Sequence, residues 1–379
     1  MDILGPDGAA ALAAAEAEAD PSSLAAAERL RRRFPPALAA EALTQTALRR
    51  RAGAKFRHPT SVLLTAAGLE QATRHPVAAW RAGRFAAAGV AEVWDLGCGL
   101  GADALALQAA GLRVVGVEAD PVTAAYAGAN LGSPVVVGRA EDARPPSGAG
   151  VFLDPARRTG AGRTWNVSDF QPPWDLVTGY LASDRFVCVK LGPGLPKEMI
   201  PPGVLATWVS HRGDVVEVSL WNQVRQGRSA VVFGARDADP VAVHADPGVA
   251  PLPVAGLGRY VLEPDNAIIR AGVVAEAALG TGAWLLADDI AYLSADRPTG
   301  PGLFDCFEVL EVLPFDVGAI RRYLTAEGIG IVEVKKRAVD VDPAELRRRL
   351  RPRGSRAVTL LLGRTTEGTR AIVTRRVRQ

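Results

Sequence analysis

Residues 91–120 constrain the fold more than any other stretch of the chain. An apolar run that ends at Asp95 predicts a buried strand, and a glycine-rich turn follows it. The pattern of residues 102–110 predicts a helix stopped by a glycine, and a second apolar run leads to Glu118. A strand, a glycine turn, a helix, a strand and an acid together predict half of a nucleoside-binding α/β sheet.

The glycine turn indicates which ligand this half-sheet holds. Gly97, Gly99 and Gly101 lack a Cβ atom, so the backbone can pass close to a bound molecule. Dinucleotides place a pyrophosphate at such a turn, whereas S-adenosylmethionine places its amino-acid part and ribose there. Asp95 would repel a pyrophosphate and attract an ammonium group, which favours S-adenosylmethionine; a nicotinamide dinucleotide is the alternative. Glu118 suits ribose hydroxyls in either class.

This stretch resembles motif I and its partner acid in class I S-adenosylmethionine-dependent methyltransferases. The resemblance implies a Rossmann-like sheet with that cofactor, bound through Asp95, Gly97, Gly99, Gly101 and Glu118. In the family an acid after the third strand commonly reaches the adenine amino group, which assigns this role to Asp142. A solvent-facing loop acid is the alternative for that position.

Residues 68–73, just upstream, resemble a segment that precedes motif I in a bacterial methyltransferase family with a THUMP-like C-terminal domain. The resemblance implies that Gln71 and Thr73 contact the amino-acid end of the cofactor. A plain helical linker is the alternative, because a motif without its structural context is a weak signal.

The tetrad Asp154-Pro155-Ala156-Arg157 follows the fourth predicted strand, at the end where open α/β sheets bind ligands. It resembles motif IV of RNA 5-methyluridine methyltransferases and, more loosely, the Asp/Asn-Pro-Pro-aromatic motif of amino methyltransferases. The resemblance implies that Asp154 orients or deprotonates the acceptor, that Pro155 fixes the turn and that Arg157 holds a phosphate. A purely structural turn is the alternative.

The sequence departs from both motifs. No aromatic residue follows the prolyl turn, so Trp165 is either a substitute for base stacking or a core residue. Lys190 and Leu191 occupy the positions of the Ser-Cys pair in the 5-methyluridine enzymes. Cys188 lies inside the fifth predicted strand, where we expect it to be buried and inert. Covalent attack through a cysteine is therefore not expected. Lys190 either contacts substrate or cofactor or forms a structural ion pair.

The remaining patterns predict an α/β fold class: a Rossmann-like class I methyltransferase sheet, a helical N-terminal segment and a ferredoxin-like (THUMP-like) α+β C-terminal domain. The resemblance to a ferredoxin-like or THUMP-like domain rests on the predicted C-terminal order β-α-β-α-β-β. Alternation over Val215–Trp221 and Ser229–Phe233 predicts a hairpin that closes the methyltransferase domain. The predicted divisions are a helical segment (1–85), a methyltransferase domain (86–234), a connector (235–304) and a THUMP-like domain (305–379).

Charge is spread unevenly along the 379 residues. The net charge is +3, yet residues 320–379 carry sixteen Lys and Arg against six Asp and Glu. Lys335–Arg337 and Arg347–Arg349, with two further arginines, predict contacts to the phosphates of structured RNA. A solvated basic surface is the alternative there, and it is the preferred interpretation of an earlier basic run, residues 49–57.

Composition excludes other classes of protein. No apolar run is long enough to cross a bilayer and no secretory signal is visible, so no membrane partner is expected. Three widely separated cysteines make no metal-binding spacing and suit a reducing cytoplasm. The sequence thus predicts a cytoplasmic methyltransferase that acts on RNA. The alternatives are a small-molecule or protein methyltransferase, and an RNA-binding protein that has lost catalysis.

Overall fold

The structure is a computed structural model that describes residues 2–157, 165–234, 239–300 and 302–377. Contacts divide the chain into two units. The first is Met1–Leu205 with Val218–Gln226, and the second is Ala206–Glu217 with Gly227–Gln379.

Helices open the first unit, as predicted, and their starts follow from caps and prolines. The Ser23 hydroxyl accepts from the Ala26 N–H at the start of the second helix, and Pro36 opens the third. The helices are α1 (Gly8–Glu16), α2 (Leu24–Arg31), α3 (Pro36–Arg51), α4 (Ala66–Gln71) and α5 (His75–Ala87).

Alternating strands and helices follow in the same unit. They are β1 (Glu92–Leu96), α6 (Ala102–Ala109), β2 (Arg113–Glu118), α7 (Pro121–Leu131), β3 (Val136–Val137), β4 (Gly150–Leu153), β5 (Ala156–Arg157), β6 (Phe170–Gln171), α8 (Trp174–Leu181) and β7 (Val187–Leu191).

The later elements are mostly strands. They are β8 (Leu205–His211), β9 (Asp214–Trp221), β10 (Gly227–Phe233), β11 (Val241–His244), β12 (Tyr260–Pro264), α9 (Asn266–Ala271), α10 (Val274–Ala277), β13 (Trp284–Leu285), β14 (Leu293–Ala295), β15 (Phe304–Pro314), α11 (Val317–Ala326), β16 (Ile329–Lys336), α12 (Pro343–Leu350), β17 (Arg356–Thr365) and β18 (Gly368–Arg376).

A parallel sheet in the order β7-β4-β1-β2-β3 carries the site in the first unit, and the second half of β9 pairs antiparallel with β7. Leu96 of β1 pairs with Val117 of β2 and with Leu153 of β4, so the carboxyl ends of these strands lie at one edge. That edge is where such sheets bind ligands. Asp95 lies inside β1, one residue before its end, and does not end the strand as predicted.

The predicted hairpin of Val215–Trp221 with Ser229–Phe233 is wrong. Both segments are strands, but the order in the second unit is β11-β10-β8-β9, so β8 lies between them. The turn Arg212-Gly213 joins β8 to β9, and both residues have a positive φ, 56° and 87°, as the preferred two-residue hairpin turn requires. Every residue of β8 is buried, so this strand lacks the alternation that reveals a half-exposed one.

The second unit also contains a seven-stranded sheet in the order β13-β14-β12-β15-β18-β17-β16. Residues 235–304, interpreted from the sequence as a connector, contribute β12, β13 and β14 to it, and β11 pairs with β10. The predicted C-terminal order is confirmed as β15, α11, β16, α12, β17 and β18. Leu346 and Leu350 of α12 pack with Ile320 and Leu324 of α11 in the core of this domain.

Candidate active site

The glycine turn after β1 keeps its backbone open. Gly97, Gly99 and Gly101 have φ values of 96°, 55° and 84°, which L-residues with a side chain rarely adopt. The N–H groups of Gly97 and Cys98 donate to the Val117 carbonyl at 2.8 and 3.0 Å, which ties the turn to β2. Apart from the adjacent residues of the chain, no described residue has an atom within 4 Å of the position that a Cβ would take at Gly97 or Gly99. A ligand can therefore approach the backbone of this turn.

Glu118, at the end of β2, is oriented by the same turn. Its Oε2 atom accepts from the Gly99 N–H at 3.0 Å, and its Oε1 atom accepts from the Asp120 N–H at 3.0 Å. Each carboxylate oxygen can accept more than one hydrogen bond, so this fixed carboxylate retains capacity for hydroxyl groups of a ligand. The structure brings Glu118 and the glycine turn together, as the sequence predicted.

Asp95 is a buried carboxylate without a partner. Its residue is 0% exposed, and neither carboxylate oxygen has a hydrogen-bond partner among the described residues. Burial raises the pKa of Asp95 well above its usual range; the nearby Asp103 and Asp154 add to the shift, and Lys190 and Arg81 oppose it. An unpaired buried carboxylate is costly. A cationic group of a ligand would supply what it lacks, so the donor set fits the ammonium of S-adenosylmethionine.

Asp154 and Lys190 meet at the ends of neighbouring strands. Leu153 of β4 pairs with Val189 of β7, which places Asp154 beside Lys190. The Lys190 ammonium forms an ion pair with the Asp154 carboxylate and donates to the Thr73 hydroxyl at 3.0 Å. Desolvation raises the pKa of Asp154, and Lys190 opposes that shift. The predicted acceptor-site acid is therefore held by a lysine at the edge where open α/β sheets bind ligands.

A chain of polar contacts continues behind Lys190. The Thr73 hydroxyl donates to Asp103 Oδ2 at 2.5 Å, and Arg81 donates to Asp103 Oδ1 at 2.5 Å. The Arg81 guanidinium is buried and lies 4.8 Å from the centre of the Phe152 ring. Because the Thr73 proton points to Asp103, the Thr73 oxygen is free to accept from Lys190. We call the series Arg81–Asp103–Thr73–Lys190–Asp154 the polar chain.

Two members of the polar chain, Arg81 and Asp103, were not predicted from the sequence. Arg81 lies within α5 and Asp103 in the first turn of α6. From sequence alone, an arginine in an Ala-rich helix is expected to lie on the solvent-exposed face of the helix. An acid in the first turn is expected to interact with the helix dipole. Neither position carried a signal of its own.

The segment before α5 is fixed against the glycine turn. A Cβ at Gly68 would lie 2.5 Å from Leu100 Cδ1, so a larger residue here would displace the Leu100 side chain. The Asn130 amide donates to the carbonyls of Leu100 and Leu63, both at 3.0 Å, and accepts from the Leu63 N–H at 2.6 Å. The structure therefore brings Thr73 into the site. Gln71 ends α4 with its side chain exposed.

Three other residues that the sequence assigned to the site, Asp142, Pro155 and Arg157, have fewer contacts that define a role. Asp142 ends the short 3₁₀ helix Ala140–Asp142 and is exposed. Pro155 is buried directly after Asp154. The backbone of Arg157 pairs with Phe170 in the small β5–β6 sheet, but the Arg157 side chain lies outside the described residues. The roles assigned to these three residues stay predictions.

Cys188 and Trp165 were the other two residues that the sequence singled out. Cys188 lies inside β7 and is fully buried, as predicted. Trp165 is half-buried, with its ring centre 5.9 Å from that of Phe170. Its Cη2 atom would lie 3.4 Å from a Cβ at Gly192, in the loop after β7. Trp165 therefore packs against the loop that follows Lys190.

Neither a metal site nor a membrane span occurs among the described residues. No group of three or more His, Cys, Asp or Glu there could hold a metal ion. No helix there combines the length and the apolar character that crossing a membrane requires.

Two proteins of Mycobacterium tuberculosis, from strains CDC 1551 / Oshkosh and ATCC 25618 / H37Rv, carry the name uncharacterized S-adenosylmethionine-dependent methyltransferase. The chain is 36% identical to each over 350 residues, which cover 87% of this chain and 94% of the relative. The chain belongs to the S-adenosylmethionine-dependent methyltransferases. The cofactor predicted from the glycine turn is thereby confirmed, and the nicotinamide alternative is not supported.

Two segments of this methyltransferase match domain families. Residues 305–376 match the THUMP domain-like family, and residues 2–52 match a domain of unknown function, DUF8688. A crystal structure of a protein from Porphyromonas gingivalis W83, described as a methyltransferase, superposes with a TM-score of 0.77 and 19% identity, over 98% of both chains. At that identity the likeness shows a shared fold. The predicted fold class is confirmed.

Proposed function

We propose that this methyltransferase modifies RNA, which it holds through the THUMP-like domain. The observation that carries the proposal is a basic surface on α12 within that domain. Arg347, Arg348 and Arg349 of α12 are exposed, as are Arg351 and Arg353 just after it. None of the five side chains has an ion-pair or hydrogen-bond partner in the described part of the chain. We call these five residues the arginine helix.

The arginine helix is smaller than the cluster that the sequence suggested. Lys335 and Arg337 of the preceding stretch pair with Glu263 at 2.5 and 3.1 Å, so their charges are compensated within the protein. Leu346 and Leu350 occupy the buried side of α12, which leaves its basic side to solvent. Exposed, unpaired arginines suit phosphate contacts, because such contacts release counterions and position a nucleic acid without reading its sequence.

The proposed chemistry is methyl transfer to a nucleophilic atom of a nucleotide. Bound S-adenosylmethionine supplies the methyl group on an activated sulfonium. Asp95, Glu118 and the glycine turn Gly97–Gly101 hold the cofactor, with Thr73, Gln71 and Asp142 as further proposed contacts. Asp154 would accept a hydrogen bond from the acceptor N–H or O–H, and would take that proton as the methyl group passes to the acceptor and its bond to sulfur breaks, leaving a neutral thioether.

Lys190 has a positioning role in this proposal. Its ion pair engages one oxygen of Asp154, Oδ2, so the other oxygen can face the acceptor. Pro155 and Arg157 are proposed to shape the acceptor side, the latter by holding a phosphate. Transfer of this kind depends on alignment of acceptor and methyl group, which a rigid set of partners favours. The three cysteines are free and buried, which fits a cytoplasmic enzyme.

Methyl transfer to RNA is tested with RNA isolated from a strain that lacks the gene. The purified protein is incubated with this RNA and isotopically labelled S-adenosylmethionine, and the nucleosides are separated by mass spectrometry. We expect label in one nucleoside, and labelling slower by about a hundredfold or more when Asp154→Asn replaces the wild type. Label in protein or in small molecules, with none in RNA, would assign the enzyme a different acceptor class.

A further inference from the structure

A second group of basic side chains lies in the first unit, beside Lys190. It comprises Lys55, Arg57 and His58, from the loop after α3, and Arg74 and His75, at the start of α5. We call these five residues the basic rim. We propose that the basic rim binds RNA phosphates next to the acceptor nucleotide. This inference rests on the proposed function and adds a second RNA contact, in the catalytic unit itself.

The basic run of residues 49–57 separates into two parts in the structure. Arg49 donates to the Val62 carbonyl at 2.8 Å and pairs with Glu16 at 2.7 Å. Arg50 donates to the carbonyls of Ala19 and Glu18. These two arginines join the N-terminal helices to one another and to the segment before α4. The same run then ends in Lys55, whose ammonium donates to the Glu70 carbonyl, and in Arg57, whose side chain has no partner among the described residues.

Both parts of the rim are tied to the segment that carries Thr73. The Lys55 ammonium donates to the Glu70 carbonyl at 2.5 Å, near the end of α4. Arg74 and His75 follow Thr73 directly in the chain, and Thr73 accepts from Lys190 at 3.0 Å. The rim therefore lies next to the Lys190–Asp154 pair, at the edge of the sheet where the acceptor is proposed to bind.

The basic groups of the rim lie close enough to lower one another's pKa values. Burial lowers the pKa of Lys55, and the positive charges of Lys190 and Arg74 lower it further, against a smaller opposing effect of Glu70. Burial also lowers the pKa of His75, and Arg57 and His58 add to that shift. Repulsion of this kind destabilises the free protein and is relieved when negative charge binds.

Few acids compensate this charge. Within the described ranges, the side chains of Arg57, His58 and His75 have no hydrogen-bond or ion-pair partner. Three other arginines of the same unit pair with acids, in Arg29–Glu18, Arg113–Glu92 and Arg139–Glu141. Positive charge on two separate stretches, from Lys55 and Arg57 in the first and Arg74 in the second, suits a row of phosphates better than a single small anion.

The test compares two double variants with the same change of charge. In Lys55→Gln/Arg57→Gln the rim loses two charges. In the control, Arg31→Gln/Arg32→Gln, the exposed end of α2 loses two. Filter binding with unfractionated bacterial tRNA is measured at several salt concentrations, and calorimetry with S-adenosylmethionine confirms that each variant is folded.

We expect the rim variant to bind tRNA more weakly, with the salt slope reduced by about 0.7 to 0.9 for each phosphate that the variant no longer neutralises. The control should keep the wild-type slope, and both variants should keep wild-type affinity for S-adenosylmethionine. Methylation of RNA by the rim variant should show a raised KM for RNA with little change in kcat.

A slope equal to that of the control would overturn the inference while leaving the proposed function intact. Failure of the wild type to bind or methylate RNA would instead remove the proposed function, and the inference with it.

Discussion

The polar chain of the first unit and the arginine helix of the second use charge in opposite ways. In the polar chain Arg81 is buried, Asp103 is nearly so, and each group contacts a defined partner. In the arginine helix all five cations are exposed, and the described residues offer them no partner. A buried chain acts through geometry, whereas an exposed cluster acts through summed charge.

This contrast sets how each region responds to substitution. Removal of one member of a buried pair leaves the other charged and desolvated, which is strongly destabilising. Removal of one exposed arginine lowers the electrostatic contribution to RNA affinity by only a fraction, because the remaining arginines still contribute. Effects should therefore be large and specific in the catalytic unit, and small, additive and salt-dependent in the THUMP-like domain.

The largest effect is expected for Asp154→Asn. Loss of a positioned proton-accepting group typically lowers turnover about a hundredfold or more, while affinity for S-adenosylmethionine should stay nearly unchanged. Initial rates of label transfer to RNA give the first quantity, and calorimetry gives the second. If affinity for the cofactor fell as much as turnover, Asp154 would belong to the cofactor site and not to the acceptor site.

Asp95→Asn should weaken S-adenosylmethionine binding by about 1 to 3 kcal/mol, the range for losing a charged hydrogen-bond partner. The same substitution should stabilise the ligand-free protein, because Asp95 is buried without a partner in the described structure. Calorimetric titration and thermal unfolding without ligand measure the two effects. Unchanged affinity would contradict the role of Asp95 as the ammonium partner.

The pH dependence of unfolding sharpens this prediction. Burial raises the pKa of Asp95, so the ligand-free native state keeps a proton at a pH where the unfolded chain has lost it. Stability should therefore fall as pH rises from the ordinary carboxyl range toward the raised pKa, and Asp95→Asn should flatten that slope. Thermal unfolding of the ligand-free wild type and of Asp95→Asn, measured at several pH values, gives the two slopes.

A smaller effect is expected in the arginine helix. Neutralising Arg347, Arg348 and Arg349 to Gln should reduce the salt slope of RNA binding by about 0.7 to 0.9 for each phosphate that these arginines neutralise in the wild type. The matched variant with three lysines keeps the charge and should keep the slope. Loss of all RNA binding from one substitution would show that this surface acts through fixed geometry, and the contrast between the two regions would fail.

The smallest effect is expected for Cys188→Ala. Cys188 lies inside β7, fully buried and away from the strand end, so the rate of methyl transfer should change by about twofold or less. A modest loss of stability is expected from the small cavity. Isolation of a covalent adduct between Cys188 and RNA that contains 5-fluorouridine would contradict this assignment.

Short-range chemistry made much of the candidate cofactor site predictable as a structural unit. Asp95, the glycine turn and Glu118 belong to one strand–turn–helix–strand unit, whose spacing is set by local backbone geometry. The six elements of the C-terminal domain follow likewise from periodicity and caps, such as the Asp342 carboxylate that accepts from the Glu345 N–H at 2.7 Å. A contiguous pattern of this kind can be recognised from the sequence, because its residues contact neighbours that are close in the chain.

Contacts between distant residues were decided only by the tertiary structure. Thr73 and Lys190 are 117 positions apart, and no local pattern states that they share a hydrogen bond. The insertion of β8 beside β9 and the pairing of Lys335 with Glu263 are of the same kind. Strand order and long-range packing determine which charged groups meet, and a sequence pattern shows only the periodicity within each element. For that reason the sequence alone determined the cofactor, and the folded chain determined which residues surround Asp154.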